Sequence, residues 1–121
     1  MDRTIFHLGT CTTCQGILKR IPHLERFTLR EIKGDPITPA ELEAMKELAG
    51  SYEALFSRVA LKYRALGLNK VKLAEKDYRR YILQEYTFLK RPVMVLDGKI
   101  FIGNAPKVVT AAIEAAKAMR R

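Results

Sequence analysis

The chain opens with a short apolar run, Thr4 to Leu8, which passes through Gly9-Thr10 into a helical pattern with Ile17, Leu18 and Ile21 on one face. Pro22 stops that helix, because proline cannot donate its amide and clashes with the preceding turn. From His23 to Ile32 the positions alternate, with Phe27 and Leu29 on one side and Arg26, Thr28 and Arg30 on the other. That is the period of a strand. Strand, helix, strand predicts two parallel neighbours joined by a right-handed crossover. After the loop Lys33-Gly34-Asp35-Pro36, the run Thr38-Pro39-Ala40-Glu41 reads as a helix start. Thr38 is its N-cap, Pro39 its first helical residue, and Glu41 closes a capping box. Leu42, Met45, Leu48 and Ala49 give the apolar face, and Gly50 ends the helix.

Ser51 to Tyr86 stays helical in pattern. Ser51 caps a short helix through Ala54, Leu55 and Phe56, and Leu61 to Leu66 adds a turn or two. Gly67-Leu68-Asn69 breaks it, and Lys72 to Tyr86 carries Leu73, Tyr78, Ile82, Leu83 and Tyr86 near helical spacing. The end returns to β: Val93 to Leu96, Asp97-Gly98, then Lys99 to Ile102. Asp-Gly between two apolar runs predicts a hairpin. Gly103-Asn104 turns into a last helix, with Asn104 as N-cap and a stripe of Val108, Val109, Ala112, Ile113, Ala116 and Met119. The sum is βαβ, a helical insert, then ββα. It predicts an α/β fold with a four-stranded mixed sheet in a single domain, the insert spanning 36–86 between core segments 1–35 and 87–121.

At 121 residues and 48% apolar content the chain can bury a core without staples. The start lacks the long apolar stretch of an export signal, and no run of eighteen apolar residues appears. The expectation is therefore a cytoplasmic protein with no membrane partner. A net charge of +9 favours anionic partners. The positive residues are scattered, and no aromatics interleave with them as a base-stacking surface requires. Direct nucleic-acid binding is not expected.

The candidate chemistry lies in Cys11-Thr12-Thr13-Cys14, which holds both cysteines of the chain. Residues at i and i+3 share one side of a helical turn. A helix beginning near Cys11 therefore lets the two sulfurs meet. The first amides of a helix lack intrahelical acceptors and the dipole is positive there, so a thiolate is stabilised. The second thiol can then resolve a mixed disulfide. Beside a strand–helix pattern this reads as a thioredoxin-like redox motif. Three other readings compete. A structural disulfide closes so short a loop that it removes little unfolded-state entropy. A zinc site needs more ligands than His7 and His23 supply at this spacing, so no metal is expected. Two ordinary buried cysteines are the third.

With these residues the layout resembles the ArsC/Spx family, arsenate reductase-like proteins with a thioredoxin-like fold carrying a helical insertion. TIFHLGTCTTC resembles the arsenate reductase opening, with a His four residues before the nucleophilic Cys; His7 and Cys11 match that pair. CTTC is similar to the redox motif of the Spx branch. GSYEALFSR, from Gly50 to Arg58, resembles the insert of both branches, whose terminal Arg faces the active site. LKRPVMVLDGK resembles the family's Arg-Pro strand entry, where the Arg reaches the site and the Pro is cis; here these are Arg91 and Pro92. Two positions depart from the family. Gln15 stands where Arg or Lys commonly follows the motif, and Phe101-Ile102-Gly103-Asn104 lacks the third Arg of arsenate reductases proper.

The resemblance implies a thiol-dependent oxidoreductase in which Cys11 attacks and Cys14 resolves. The substrate would be a small anionic or thiol compound: arsenate, a glutathione adduct or a disulfide. Arg58 and Arg91 would hold the anion, since guanidinium forks grip oxyanions and carboxylates and raise the thiolate fraction nearby. On residue chemistry alone, either could equally be a surface Arg. Pro92 would shape the groove. His7 either supports the Cys11 thiolate or is a satisfied half-buried histidine, and His23 is expected to be exposed. Glutathione, glutaredoxin or thioredoxin would supply electrons, with no bound cofactor. The other branch implies a redox-switched regulator whose partner is the C-terminal domain of the RNA polymerase α-subunit. There the residue matching Gly50 lies in the contact surface; as sequence alone it is a helix C-cap.

Overall fold

Strands β1 (Arg3–His7), β2 (Thr28–Glu31), β3 (Val93–Leu96) and β4 (Lys99–Ile102) form one sheet in the order β2-β1-β3-β4. This computed structural model describes residues 1–119. The sheet is mixed: β1 runs parallel to β2, with Ile5 opposite Leu29 and His7 opposite Glu31. β1 and β3 are antiparallel, as are β3 and β4. The Asp97-Gly98 hairpin has both residues at positive φ, 47° and 86°. Such a turn matches the right-handed twist of the two strands.

The chain divides into two units, one of Met1–Asp35 with the chain from Arg91 onward, the other of Pro36–Lys90. In the first, helices α1 (Thr12–Leu18) and α5 (Pro106–Lys117) pack on the sheet. Ile5, Met94 and Leu96 meet Ile17, Leu18 and Ile21 from the first crossover and Val109, Ala112 and Ala116 from α5. The sequence pattern overreached in two places here. His23 to Arg26 is not strand: His23 takes a left-handed turn at φ 58° and Leu24–Arg26 forms a 3-10 turn. β2 therefore begins only at Thr28, at the sheet's edge, and Leu29 is left 45% exposed while Phe27 joins the core. Asn104 is not the N-cap of α5. Ala105 is, because Pro106 takes the first helical position, where its missing amide costs nothing.

The second unit holds α2 (Pro39–Ala49), α3 (Leu61–Ala65) and α4 (Glu75–Gln84), linked by 3-10 turns. The α2 capping box is complete: the Glu41 amide donates to Thr38 Oγ1 at 3.1 Å and the Thr38 amide to Glu41 Oε1 at 2.9 Å. Gly50 ends α2 at φ 94°. Leu42 and Met45 are buried, but Leu48 is 39% exposed, so the apolar stripe is narrower than its spacing suggests. Ser51 Oγ accepts the Ala54 amide at 3.1 Å and starts the next turn. α4 is shorter than its apolar pattern because the Asp77 carboxylate accepts the Ala74 amide at 2.8 Å and sets its beginning. Phe56 stacks on Phe88 at 5.1 Å and meets Tyr78 at 4.9 Å, giving this unit its aromatic centre. No helix among the described residues is long and apolar enough to cross a membrane.

Candidate active site

Cys11 sits where β1 hands over to α1. The turn is closed by the Cys11 amide, which donates to the Leu8 carbonyl at 3.1 Å. Cys11 is the N-cap of α1, and its Sγ accepts the Cys14 amide at 3.5 Å. That is the place where a serine or aspartate oxygen satisfies an orphan helical amide, and here a sulfur does so. Cys14, one turn on, is fully buried, whereas Cys11 is partly open. Both are free thiols.

The two thiols differ in acidity for physical reasons. Burial works to push Cys11 up, but hydrogen bonds from the Cys14 backbone and side chain, with the charge and hydrogen bond of Arg91, outweigh it. The result lies below the ordinary value of 9.0. Burial pushes Cys14 up to about 11, assisted by the hydrogen bond and charge of Cys11 and opposed by a Leu8 backbone hydrogen bond and by Arg91. Such a pair can present a thiolate at Cys11 with a second, protonated thiol one helical turn away.

Arg91 reaches this thiol pair from the entry to β3, and the Arg91–Pro92 peptide is cis. Pro92 is buried, and its carbonyl accepts the Gly103 amide at 2.9 Å, tying the β3 entry to the exit of β4. His7 is half-buried at the end of β1, and its hydrogen-bond partner is Gln15: Nε2 of Gln15 lies 3.2 Å from His7 Nδ1. His23 is exposed. A groove of about 410 Å³ runs alongside, lined among others by Thr12 and Thr13 of α1, by Arg20 just beyond that helix, and by Asn104 and Thr110.

Arg58 belongs to the helical unit and has its own setting there. The Ser57 amide donates to the Phe88 carbonyl at 2.7 Å and the Lys90 amide to the Leu55 carbonyl at 2.8 Å, an antiparallel bridge that fixes the segment. Arg58 Nη2 then donates to Glu53 Oε2 at 2.7 Å and to the Tyr78 hydroxyl at 2.9 Å, with the guanidinium 5.6 Å from the Tyr78 ring centre. Its side chain stays 44% exposed, so an anion can compete for the fork. Arg64, on α3, is exposed. Among the described residues no cluster of three or more His, Cys, Asp or Glu is placed to hold a metal ion.

Two residues of the site escaped the sequence reading. Gln15 stood out only as a departure, although its position four residues after Cys11 puts it on the same helix face. Glu31 was not singled out. Its carboxylate accepts the amides of Gly9 at 2.8 Å, Lys33 at 3.0 Å and Gly34 at 2.7 Å. Those amides, led by Gly34, with a smaller contribution from His7, hold it below the usual carboxylate range. The signal for Glu31 was the parallel register that sets it opposite His7, which becomes visible only once β2 is paired.

A mixed four-stranded sheet, a Cys-x-x-Cys at the start of its first helix and a cis-proline at the entry to an inner strand define a thioredoxin-like protein. The ArsC family model matches residues 6–112, and the chain belongs to that family. Solved structures agree on the fold. A Bacteroides fragilis protein described as ArsC family related shares 23% identity over 93% of this chain and 98% of its own, with a TM-score of 0.76. An arsenate reductase from Vibrio cholerae shares 19% identity over 93% and 98%, with a TM-score of 0.72. An arsenate reductase related protein from Brucella melitensis shares 23% over 92% and 93%, at 0.67. A comparison with curated proteins finds no match.

Proposed function

We propose that the chain is a cytoplasmic thiol-dependent reductase with Cys11 as nucleophile and Cys14 as resolving thiol. The observation that carries it is the split between the two thiols, Cys11 lowered and Cys14 raised, across one helical turn. The Cys11 thiolate attacks a sulfur of a mixed disulfide. A Cys11–substrate disulfide forms and the first thiol leaves. Attack consumes the Cys11 charge, which had helped to raise Cys14, while the Arg91 charge that lowers it remains. Cys14 then ionises more readily and attacks Cys11 Sγ. The Cys11–Cys14 disulfide forms and the second substrate thiol departs. Two electrons from glutathione, glutaredoxin or thioredoxin restore the dithiol.

Arsenate is the other substrate of this reading, because one protein of the same fold is described as an arsenate reductase and another as related to one. Arg91 would orient the anion beside Cys11, and Arg58, within its own unit, would offer a fork to an anion there. The groove beside α1 has room for the body of a thiol compound such as glutathione. The test is turnover of arsenate and of a glutathione mixed disulfide, with glutathione or thioredoxin as donor and Cys11→Ser and Cys14→Ser as controls. Turnover that survives Cys11→Ser contradicts the reading.

The absence of an arginine from Phe101 to Asn104 favours a second reading. In it the same dithiol is a switch, and the exposed Gly50 surface meets the C-terminal domain of the RNA polymerase α-subunit. Pull-down with that domain that depends on Gly50, without turnover, would favour the regulator.

A further inference from the structure

Three hydrogen bonds converge on one peptide group ahead of the nucleophile. The Leu8 carbonyl accepts the Cys11 amide at 3.1 Å and Gln15 Nε2 at 3.1 Å. The amide on the other side of the same peptide, that of Gly9, donates to Glu31 Oε2 at 2.8 Å. We propose that Glu31 and Gln15 are positioning residues that clamp the Leu8–Gly9 peptide and thereby fix where the Cys11 sulfur points. The inference rests on the reading of Cys11 as the nucleophile.

The clamp has a physical need to meet. A peptide between a strand end and a turn can rotate as a plane, and glycine on one side offers no Cβ to resist it. Rotation would carry the Leu8 carbonyl away from the Cys11 amide and open the turn that seats Cys11 at the head of α1. Gln15 holds the carbonyl edge and Glu31 the amide edge, from opposite elements.

Each residue type is chemically required. A carbonyl only accepts, so the Gln15 atom facing Leu8 must be the amide nitrogen. That nitrogen has a second hydrogen, and His7 Nδ1 lies 3.2 Å from it. His7 thus anchors the clamp. On the other edge Glu31 uses one oxygen for Gly9 and the other for Lys33 and Gly34. A glutamine there offers one acceptor for both tasks, and its NH₂ would face an amide that also donates.

The sign of the effect separates position from charge. As a bare negative charge, Glu31 would disfavour a nearby thiolate, so removing it would speed the reaction of Cys11. As a clamp, its removal slows it. The experiment is iodoacetamide alkylation of the full chain against pH, with the Cys11 and Cys14 peptides resolved by mass spectrometry. It compares wild type, Glu31→Gln, Gln15→Ala, the double variant, Glu31→Asp and Glu25→Gln. Alanine is the best helix former, so Gln15→Ala leaves α1 sound even if Glu31→Gln weakens the fold.

The expected result is a fall of about threefold or more in the neutral-pH Cys11 rate for each single variant, with the profile moved to higher pH. The double variant should lose less than the product of the two, since both grip one peptide. Glu31→Asp should recover part, and Glu25→Gln should match wild type. A wild-type rate and profile in both single variants overturns the inference, as does acceleration in Glu31→Gln. Faster alkylation of Cys14 in the variants overturns it too, because that marks loosened packing only. If Cys14 reacts first in wild type, the reading of the nucleophile itself fails.

Discussion

Each unit has its own internal means of support. In the first, a ladder of paired strands sets most positions, and the reactive group is tuned by its place at a strand–helix junction. In the second, helices are short and side chains do the tying. The Glu75 carboxylate accepts the amides of Tyr52 at 2.7 Å and Glu53 at 3.0 Å across more than twenty residues of chain, and Phe56, Tyr78 and Phe88 form the centre. A unit built on a sheet holds a sulfur in place through backbone geometry. A unit built on caps and rings presents an arginine, Arg58, that already has a carboxylate partner and stays open to another anion.

The largest expected effects fall on the first unit. Cys11→Ser should reduce turnover to background, while Cys14→Ser should stop after the first attack and accumulate a mixed disulfide on Cys11. Intact-mass measurement after one equivalent of substrate checks both. Next comes the aromatic centre of the second unit. Phe56 is fully buried, so Phe56→Ala should cost about 3–5 kcal/mol in urea unfolding. A cost below about 1 kcal/mol would mean that the rings are not the unit's support.

The two arginines sharpen the contrast. Arg91→Ala should slow Cys11 alkylation at neutral pH by about three- to tenfold, because its charge and hydrogen bond lower that thiol. Arg58→Ala should leave alkylation alone and weaken oxyanion or glutathione binding by about tenfold, with Arg58→Lys recovering part. Exposed Arg64→Ala is the control; an equal loss there would reduce the Arg58 effect to general positive charge.

A smaller effect depends on pH. Cys14 is raised from 9.0 to about 11 on folding, because burial penalises its thiolate. A raised acid contributes stability that is fully present below the unfolded value and is lost as pH rises through the folded one. The stability difference between wild type and Cys14→Ala should therefore shrink between pH 9.0 and about 11. Glu31 and Glu85 carry the opposite sign. Both are depressed, by the Gly34 amide first in one and by Lys62 first in the other. Their contribution is present above the ordinary carboxylate range and is lost as pH falls below it. The smallest effect is Thr38→Ala, which should cost about 1 kcal/mol by breaking the α2 capping box.

What was legible in the sequence cuts across that division. The sheet and its hairpin could be read because strand period and Asp-Gly chemistry are local signals, and α2 because Thr38, Pro39 and Glu41 spell out its start. The beginning of β2 could not, since the left-handed turn at His23 leaves no mark in the apolar pattern. In the helical unit the spacing of Leu48 suggested burial that the packing does not provide. The Cys-x-x-Cys motif and Arg91 were readable as motif and resemblance. The clamp of Glu31 and Gln15 was not, because it joins residues that become neighbours only through the parallel pairing of β1 with β2 and the turn into α1.

The central claim is that Cys11 is the low-pKa nucleophile and Cys14 its buried partner. Site-resolved alkylation of the reduced chain at neutral pH tests it most directly. The account predicts that Cys11 is modified first, with a rate that rises through a midpoint below 9.0, while Cys14 stays unmodified until near pH 11. Equal or faster modification of Cys14 at neutral pH would contradict it.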